Sequence, residues 1–138
     1  MSERPRTWPR SALALLSGFL TVVGLSVATD AVLHAIGTFP RAGMSGGLFL
    51  LATVYRSLYA IAGSYITARV APHGPMQHAL IGGAVGLVIS TVGAVATWNQ
   101  GPAFGPHWYP IALIATALPT AWVGGKIRVM QLRNKPER

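Results

Sequence analysis

The chain has 138 residues, of which 51% are apolar and only 10% are Asp, Glu, Lys or Arg. This composition excludes a disordered chain, which would be charged and poor in large apolar residues. It also argues against a soluble domain, in which about a quarter of the residues are usually charged. With 0 cysteines, the sequence excludes a disulfide scaffold, a zinc–thiolate site and a cysteine nucleophile.

Four apolar segments follow one another along the chain, and each is long enough to cross a bilayer as a helix. About 20 helical residues, rising about 1.5 Å each, span a hydrocarbon core of about 30 Å. We therefore predict membrane-spanning helices at about 12–35, 46–69, 77–98 and 107–129. The expected fold is an all-α integral membrane four-helix bundle over residues 1–138. Its short connections predict that successive helices are antiparallel neighbours.

The basic residues are distributed unevenly between the two sides of this predicted bundle. One side has only Arg41, whereas the other side has the basic residues of both tails and of the second connection: Arg4, Arg6, Arg10, Arg69, Lys126, Arg128, Arg133, Lys135 and Arg138. Because basic residues concentrate on the cytoplasmic side, both termini are predicted to be cytoplasmic. The net charge of +8 thus indicates topology rather than nucleic-acid binding. We treat the first span as a retained helix, since it is longer than a signal-peptide core.

Two charged side chains lie inside the predicted spans, where an unpaired charge is unfavourable. Counted along their helices, Asp30 lies close to the outer boundary and Arg56 near the middle of the membrane. An Arg side chain extends several ångströms, so the two could meet. Two interpretations remain open: a buried ion pair that fixes helix register, or a site for an anion, a proton or a substrate.

Three further residues complete the candidate polar site. His34 lies one turn beyond Asp30, and His107 begins the fourth span on the same side of the membrane. With Asp30 they could provide three metal ligands, or they could be interfacial polar residues beside the aromatic belt; we favour the second and expect no metal and no cofactor. Tyr59, with Tyr55, either stacks on or hydrogen-bonds the Arg56 guanidinium, or fills the bundle, which we favour. His73 and His78, near a Pro-Gly turn, are expected to be solvated.

Small residues recur every four positions in each span, which favours close helix packing in lipid. In the third span the row consists of Gly82, Gly86, Ser90 and Ala94. This face packs either against other helices of the same chain or against a second copy.

Pro119 should kink the fourth span, and Thr116 is placed to satisfy the carbonyl that the proline frees.

Several short motifs resemble those of small uncharacterised four-span proteins of bacterial inner membranes. They are Thr29–His34, Tyr55–Arg56, Gly63–Arg69, Trp98–Asn99 and Gly105–Tyr109. The resemblance covers most of the chain and implies a multi-pass location in that membrane, but it brings no activity and no site residues. The length is also similar to that of small multidrug-resistance transporters, which instead carry a Glu midway along the first helix.

The sequence carries no nucleophile elbow, Walker loop, dinucleotide fingerprint or HExxH motif, and only 3 acidic residues. We therefore expect no enzymatic activity. The leading hypothesis is a small accessory or structural subunit of a membrane assembly, surrounded by lipid and joined to a second copy or another membrane protein. The alternative is a small transporter or channel that uses Asp30 and Arg56.

Overall fold

The computed structural model describes residues 7–136 of the chain. Its elements are α1 (Trp8–Ala35), α2 (Gly46–Val70), α3 (Pro75–Thr97), a 3₁₀ turn (Pro102–Phe104) and α4 (Trp108–Arg133). No strand occurs in this range, so the predicted all-α class is confirmed. The arrangement is compatible with a four-helix bundle.

The helix boundaries follow local residue chemistry. α1 and α3 each have a proline in the first turn, where the missing N–H removes no intrahelical hydrogen bond. α2 begins after Ser45, whose side-chain oxygen accepts a hydrogen bond from the backbone N–H of Leu48 at 3.4 Å. Gly37 follows α1 with φ +77° and Gly74 precedes α3 with φ +50°, a backbone conformation that suits glycine.

The helices pack in the spatial order α1, α2, α4, α3, and α1 touches α3 far less than the other neighbours touch each other. The starts of α1 and α3 lie with the ends of α2 and α4; we call this the His78 end. The opposite termini form the Asp30 end. Sequential helices are antiparallel, as expected, but α2 packs more extensively on α4, to which it is parallel, than on α3.

Glycines mark the points at which helix backbones approach most closely. A Cβ atom added to Gly63 of α2 would lie 2.7 Å from the carbonyl oxygen of Gly18 of α1. One added to Gly124 of α4 would lie 2.5 Å from the carbonyl oxygen of Ile61. These distances are shorter than a carbon–oxygen contact allows, so only glycine permits both crossings.

Most apolar side chains in the helices point away from the interior. The most apolar windows of the four helices are only 17% to 22% buried. Leu20 of α1, Leu58 of α2 and Val88 of α3 are each more than half exposed. All four helices are long and apolar enough to cross a membrane.

Pro119 lies within α4 without ending it. The Thr116 hydroxyl donates to the carbonyl of Ala112 at 2.8 Å. The carbonyl that loses its partner at Pro119 is that of Ala115, four residues earlier. The expectation that Thr116 satisfies the freed carbonyl is therefore wrong, because its hydroxyl bonds one turn nearer the start of the helix.

Candidate functional site

The two intramembrane charges predicted from the sequence lie side by side between α1 and α2. Arg56 Nη2 donates to Asp30 Oδ2 at 2.6 Å, and the Tyr55 hydroxyl donates to the other carboxylate oxygen, Oδ1. The contact arises because Asp30 lies near the end of α1 and Arg56 in the first half of the antiparallel α2. Both carboxylate oxygens therefore have a donor from α2.

Aromatic side chains surround this cluster and continue it along the α1–α2 interface. Tyr59 lies one turn from Tyr55, with ring centroids 5.7 Å apart, and its hydroxyl shares a 2.7 Å hydrogen bond with that of Thr29. Tyr55 is buried with Ala52 and Phe39, and Tyr109 of α4 packs against this group. The helix α2 is thus joined to α1 by two polar links on successive turns.

The ion pair is only partly enclosed. The Arg56 and Asp30 side chains are 33% and 29% exposed, respectively. Arg56 Nε is shielded and has no hydrogen-bond partner among residues 7–136. The guanidinium carries five N–H donors, and one hydrogen bond, to Asp30, is found in this part of the chain. The exposed edge of Arg56 therefore keeps donor capacity.

His34 and His107 lie apart from the carboxylate. The His34 ring donates from Nδ1 to the backbone carbonyl of Asp30 at 2.7 Å and packs edge-on against Phe39. The His107 ring stacks on Trp98 at 4.2 Å between centroids, and its Nε2 donates to the Trp98 carbonyl at 3.2 Å. Between residues 7 and 136, no three His, Asp or Glu side chains are grouped as metal ligands.

A cleft of about 380 Å³ extends from the ion pair along the interior of the bundle. Its walls are α1 and α3, and its floor is formed by α2 and α4. It narrows toward the His78 end, where Leu15 of α1 reaches Gly82 of α3: a Cβ added to Gly82 would lie 3.6 Å from Leu15 Cδ2. Thr116 and Thr120 line the floor, but each hydroxyl donates to a carbonyl of its own helix. The interior is therefore largely apolar, with the charged pair at one end.

The small-residue row predicted for α3 divides between two environments. Gly82, Gly86 and Ser90 line the cleft, and a Cβ added to Gly86 would meet nothing within 4 Å. Ala94 is buried. The close approach of α3 to α4 occurs instead at Gly83, where an added Cβ would lie 2.4 Å from Ala121 Cβ. Gly83 also lines the cleft, so the close α3–α4 crossing lies at the edge of the cleft-lining face of α3.

A second polar link lies at the His78 end, and the sequence reasoning missed it. His78 is 6% exposed rather than solvated, because it lies in the first turn of α3 against α1. Its Nδ1 donates to the carbonyl of Gly74 at 3.1 Å, and its Nε2 therefore accepts from the Ser11 hydroxyl at 2.9 Å. The predicted span at 77–98 already included His78, so its place in the first turn of a helix was the signal that it would not lie in a solvated turn.

Tyr55 was associated with Arg56 from the sequence, but its hydrogen bond to Asp30 was not predicted. Tyr55 precedes Arg56 in sequence, and consecutive helical residues point about 100° apart, so one helix face could not be inferred to carry both.

No family model, curated protein or solved structure matched the chain in the comparisons.

Proposed function

We propose that the chain is a multi-pass integral membrane protein in which α1 to α4 each cross the bilayer. The supporting observation is the outward direction of its apolar side chains, since a surface of this kind is unfavourable in water and favourable in lipid. The further assignment to a bacterial inner membrane rests on the motif resemblance described above.

Both termini are proposed to face the cytoplasm. The His78 end carries basic residues from the start of α1, the end of α2 and the end of α4: Arg10, Arg69, Lys126, Arg128, Arg133 and Lys135. Among residues 7–136, the only Lys or Arg in the connections at the Asp30 end is Arg41. This asymmetry supports a cytoplasmic His78 end.

A reporter fusion tests this orientation. Alkaline phosphatase, which is active only in the periplasm, should remain inactive when fused after Arg138 and become active when inserted in the 98–107 connection. An active fusion at Arg138 would contradict the proposed orientation.

Within the membrane, the protein is proposed to act as a non-enzymatic accessory or structural subunit, bound to a second copy or to another membrane protein. The observation that carries this proposal is the internal pairing of its charges: both oxygens of Asp30 accept hydrogen bonds from α2. Together with the Thr29–Tyr59 and Ser11–His78 bonds, this arrangement supports a fixed scaffold of helices.

Purification from native membranes in a mild detergent tests the subunit hypothesis. A C-terminally tagged chain should elute with a stoichiometric partner, either itself or another membrane protein. As a control, a second purification starts from the tagged membranes mixed with an excess of untagged detergent extract from an unrelated strain. Proteins of that strain that co-elute have associated after solubilisation. Elution as a monomer with no enriched partner would contradict the subunit role.

A second candidate, a small transporter or channel, is supported by the cleft that ends at Asp30 and Arg56. Reconstitution into liposomes distinguishes it from the first. Flux of an ion or amphiphile that is lost in Asp30→Asn but retained in Ser17→Ala, whose hydroxyl bonds only its own helix, would favour transport. Vesicles that remain impermeable, together with co-purification of a stoichiometric partner, would favour the subunit role.

A further inference from the structure

The cleft has the size and lining of a site for an amphiphilic ligand. Binding pockets for small molecules typically enclose about 300–1,000 Å³ and combine apolar walls with a few polar groups. Here a cleft of about 380 Å³ has apolar walls and the Asp30–Arg56 pair at one end. Its occupant therefore needs an apolar part along most of its length and a polar part at that end.

The depth of the ion pair in the membrane indicates which polar group of the ligand lies beside it. α1 has 28 residues and is therefore about 42 Å long, so a centred helix extends about 6 Å beyond each face of a core of about 30 Å. Asp30 precedes the end of α1 at Ala35 by about 8 Å. In this placement Asp30 lies at the boundary between acyl chains and head groups, and the long Arg56 side chain, whose backbone lies about 15 Å from the start of α2, reaches it from deeper in the membrane.

The hydrogen-bonding groups that remain free at this boundary are donors, so they favour a ligand group that accepts hydrogen bonds. Both oxygens of Asp30 already accept hydrogen bonds, from Tyr55 and Arg56. Arg56 is one-third exposed and retains N–H groups on its terminal nitrogens. A guanidinium with free N–H groups matches phosphate oxygens in both charge and geometry.

The cleft is long enough to hold an acyl chain that spans one leaflet. From Asp30 to Leu15, both of which line it, α1 rises about 22 Å. One leaflet of hydrocarbon is about 15 Å thick, half of a core of about 30 Å. The open side between α1 and α3 provides lateral entry from the bilayer, whereas the Leu15 side chain lies near Gly82 at the far end.

We propose that this cleft binds a membrane phospholipid, with one acyl chain between α1 and α3 and a phosphate oxygen accepting hydrogen bonds from Arg56. The proposal is independent of whether the protein also has a protein partner. The Asp30 carboxylate holds the guanidinium in place, and the small side chains at Gly82 and Gly86 leave the volume that the chain fills.

Native mass spectrometry of the detergent-purified protein tests the site. The probes are palmitoyl-oleoyl phosphatidylglycerol, the diacylglycerol with the same chains, and glycerol 3-phosphate. The phospholipid should bind at one per chain and at least tenfold more tightly than the diacylglycerol, and glycerol 3-phosphate should not bind. Equal binding of the two lipids, or binding of glycerol 3-phosphate alone, would overturn the proposal.

Two leucine substitutions on α3 test the location. Gly86→Leu fills the cleft and should weaken phospholipid binding at least tenfold. Gly93→Leu is the matched control: it also meets nothing within 4 Å but does not line the cleft, so binding should be unchanged. Circular dichroism verifies that both variants are folded, and Ser90→Leu, also in the cleft, replaces Gly86→Leu if that variant misfolds. Equal binding by cleft and control variants would place the lipid elsewhere and refute the site.

Discussion

The two ends of the bundle hold α1 against its neighbours by different means. At the His78 end, α1 and α3 meet through the Ser11–His78 hydrogen bond and the contact between Leu15 and Gly82. At the Asp30 end, α1 is held to α2 by charged and aromatic side chains, while the cleft separates it from α3. A hydrogen bond joins α1 to α3 at the His78 end, whereas the polar links at the Asp30 end join α1 only to α2 and leave the cleft open.

The largest expected effect comes from removing the carboxylate at the Asp30 end. Asp30→Ala leaves Arg56 without its anion. Breaking a buried pair typically destabilises by 3–5 kcal/mol, and the partial exposure of this one places the expected loss at about 3 kcal/mol. The measurement is the free energy of unfolding in detergent micelles, by titration with sodium dodecyl sulfate.

The double variant Asp30→Ala/Arg56→Leu provides the control for this experiment. Removing the unpaired cation should recover part of the lost stability, so the two substitutions should couple in a double-mutant cycle. Purely additive effects would show that the ion pair does not hold this end together.

The packing of the closed side of α3 predicts the next effect. Gly83→Leu should destabilise by about 2 kcal/mol, because its side chain must displace Ala121 at the α3–α4 crossing. Gly86→Leu, one turn away on the cleft side, should change stability by less than about 0.5 kcal/mol. Thermal unfolding of both variants in the same detergent tests the difference, and equal losses would mean that α3 packs through both faces.

The hydrogen bond at the His78 end should contribute less. Ser11→Ala leaves the buried Nε2 of His78 without a donor, which should reduce stability by about 1 kcal/mol. Ser17→Ala is the matched control, since the Ser17 hydroxyl bonds the Leu13 carbonyl within α1. If the two variants unfold at the same temperature, the link between α1 and α3 contributes nothing.

The smallest effect is expected from the second polar link at the Asp30 end. Tyr59→Phe removes one hydroxyl from its bond with Thr29, and hydrogen bonds between membrane helices average about 0.6 kcal/mol. Tyr65→Phe, which loses solvent-exposed hydrogen bonds to Gln131 and Arg69 at the His78 end, is the comparison variant. A larger loss of stability in Tyr65→Phe than in Tyr59→Phe would contradict the greater importance assigned to the Thr29–Tyr59 hydrogen bond.

The helices could be predicted from the sequence because length and apolarity are properties of continuous segments. The run without ionisable residues from Ser11 to Thr29 and the loop at Gly37 can both be read from the sequence. The relative placement of the helices could not be predicted, since short connections constrain only successive pairs. The extensive α2–α4 packing therefore became apparent only in three dimensions.

The candidate site shows the same limit at the level of side chains. The scarcity of charge in the spans drew attention to Asp30 and Arg56, because an unpaired charge there is unfavourable. Gly82 and Gly83 are adjacent in sequence and both line the cleft, yet only Gly83 also packs closely on α4. Which glycine faces a neighbour depends on helix rotation, and the periodicity of a uniformly apolar helix does not specify that rotation.

The difference between the two ends can be measured directly by disulfide crosslinking of α1 to α3, since the chain has 0 cysteines of its own. The pairs Leu15→Cys/Gly82→Cys and Val23→Cys/Ser90→Cys share the sequence offset of 67 that joins Ser11 to His78. In membranes under mild oxidation, the first pair should crosslink and the second, across the open cleft, should not. Equal crosslinking of both pairs would contradict the account, because it would mean that α1 and α3 lie together along their whole length.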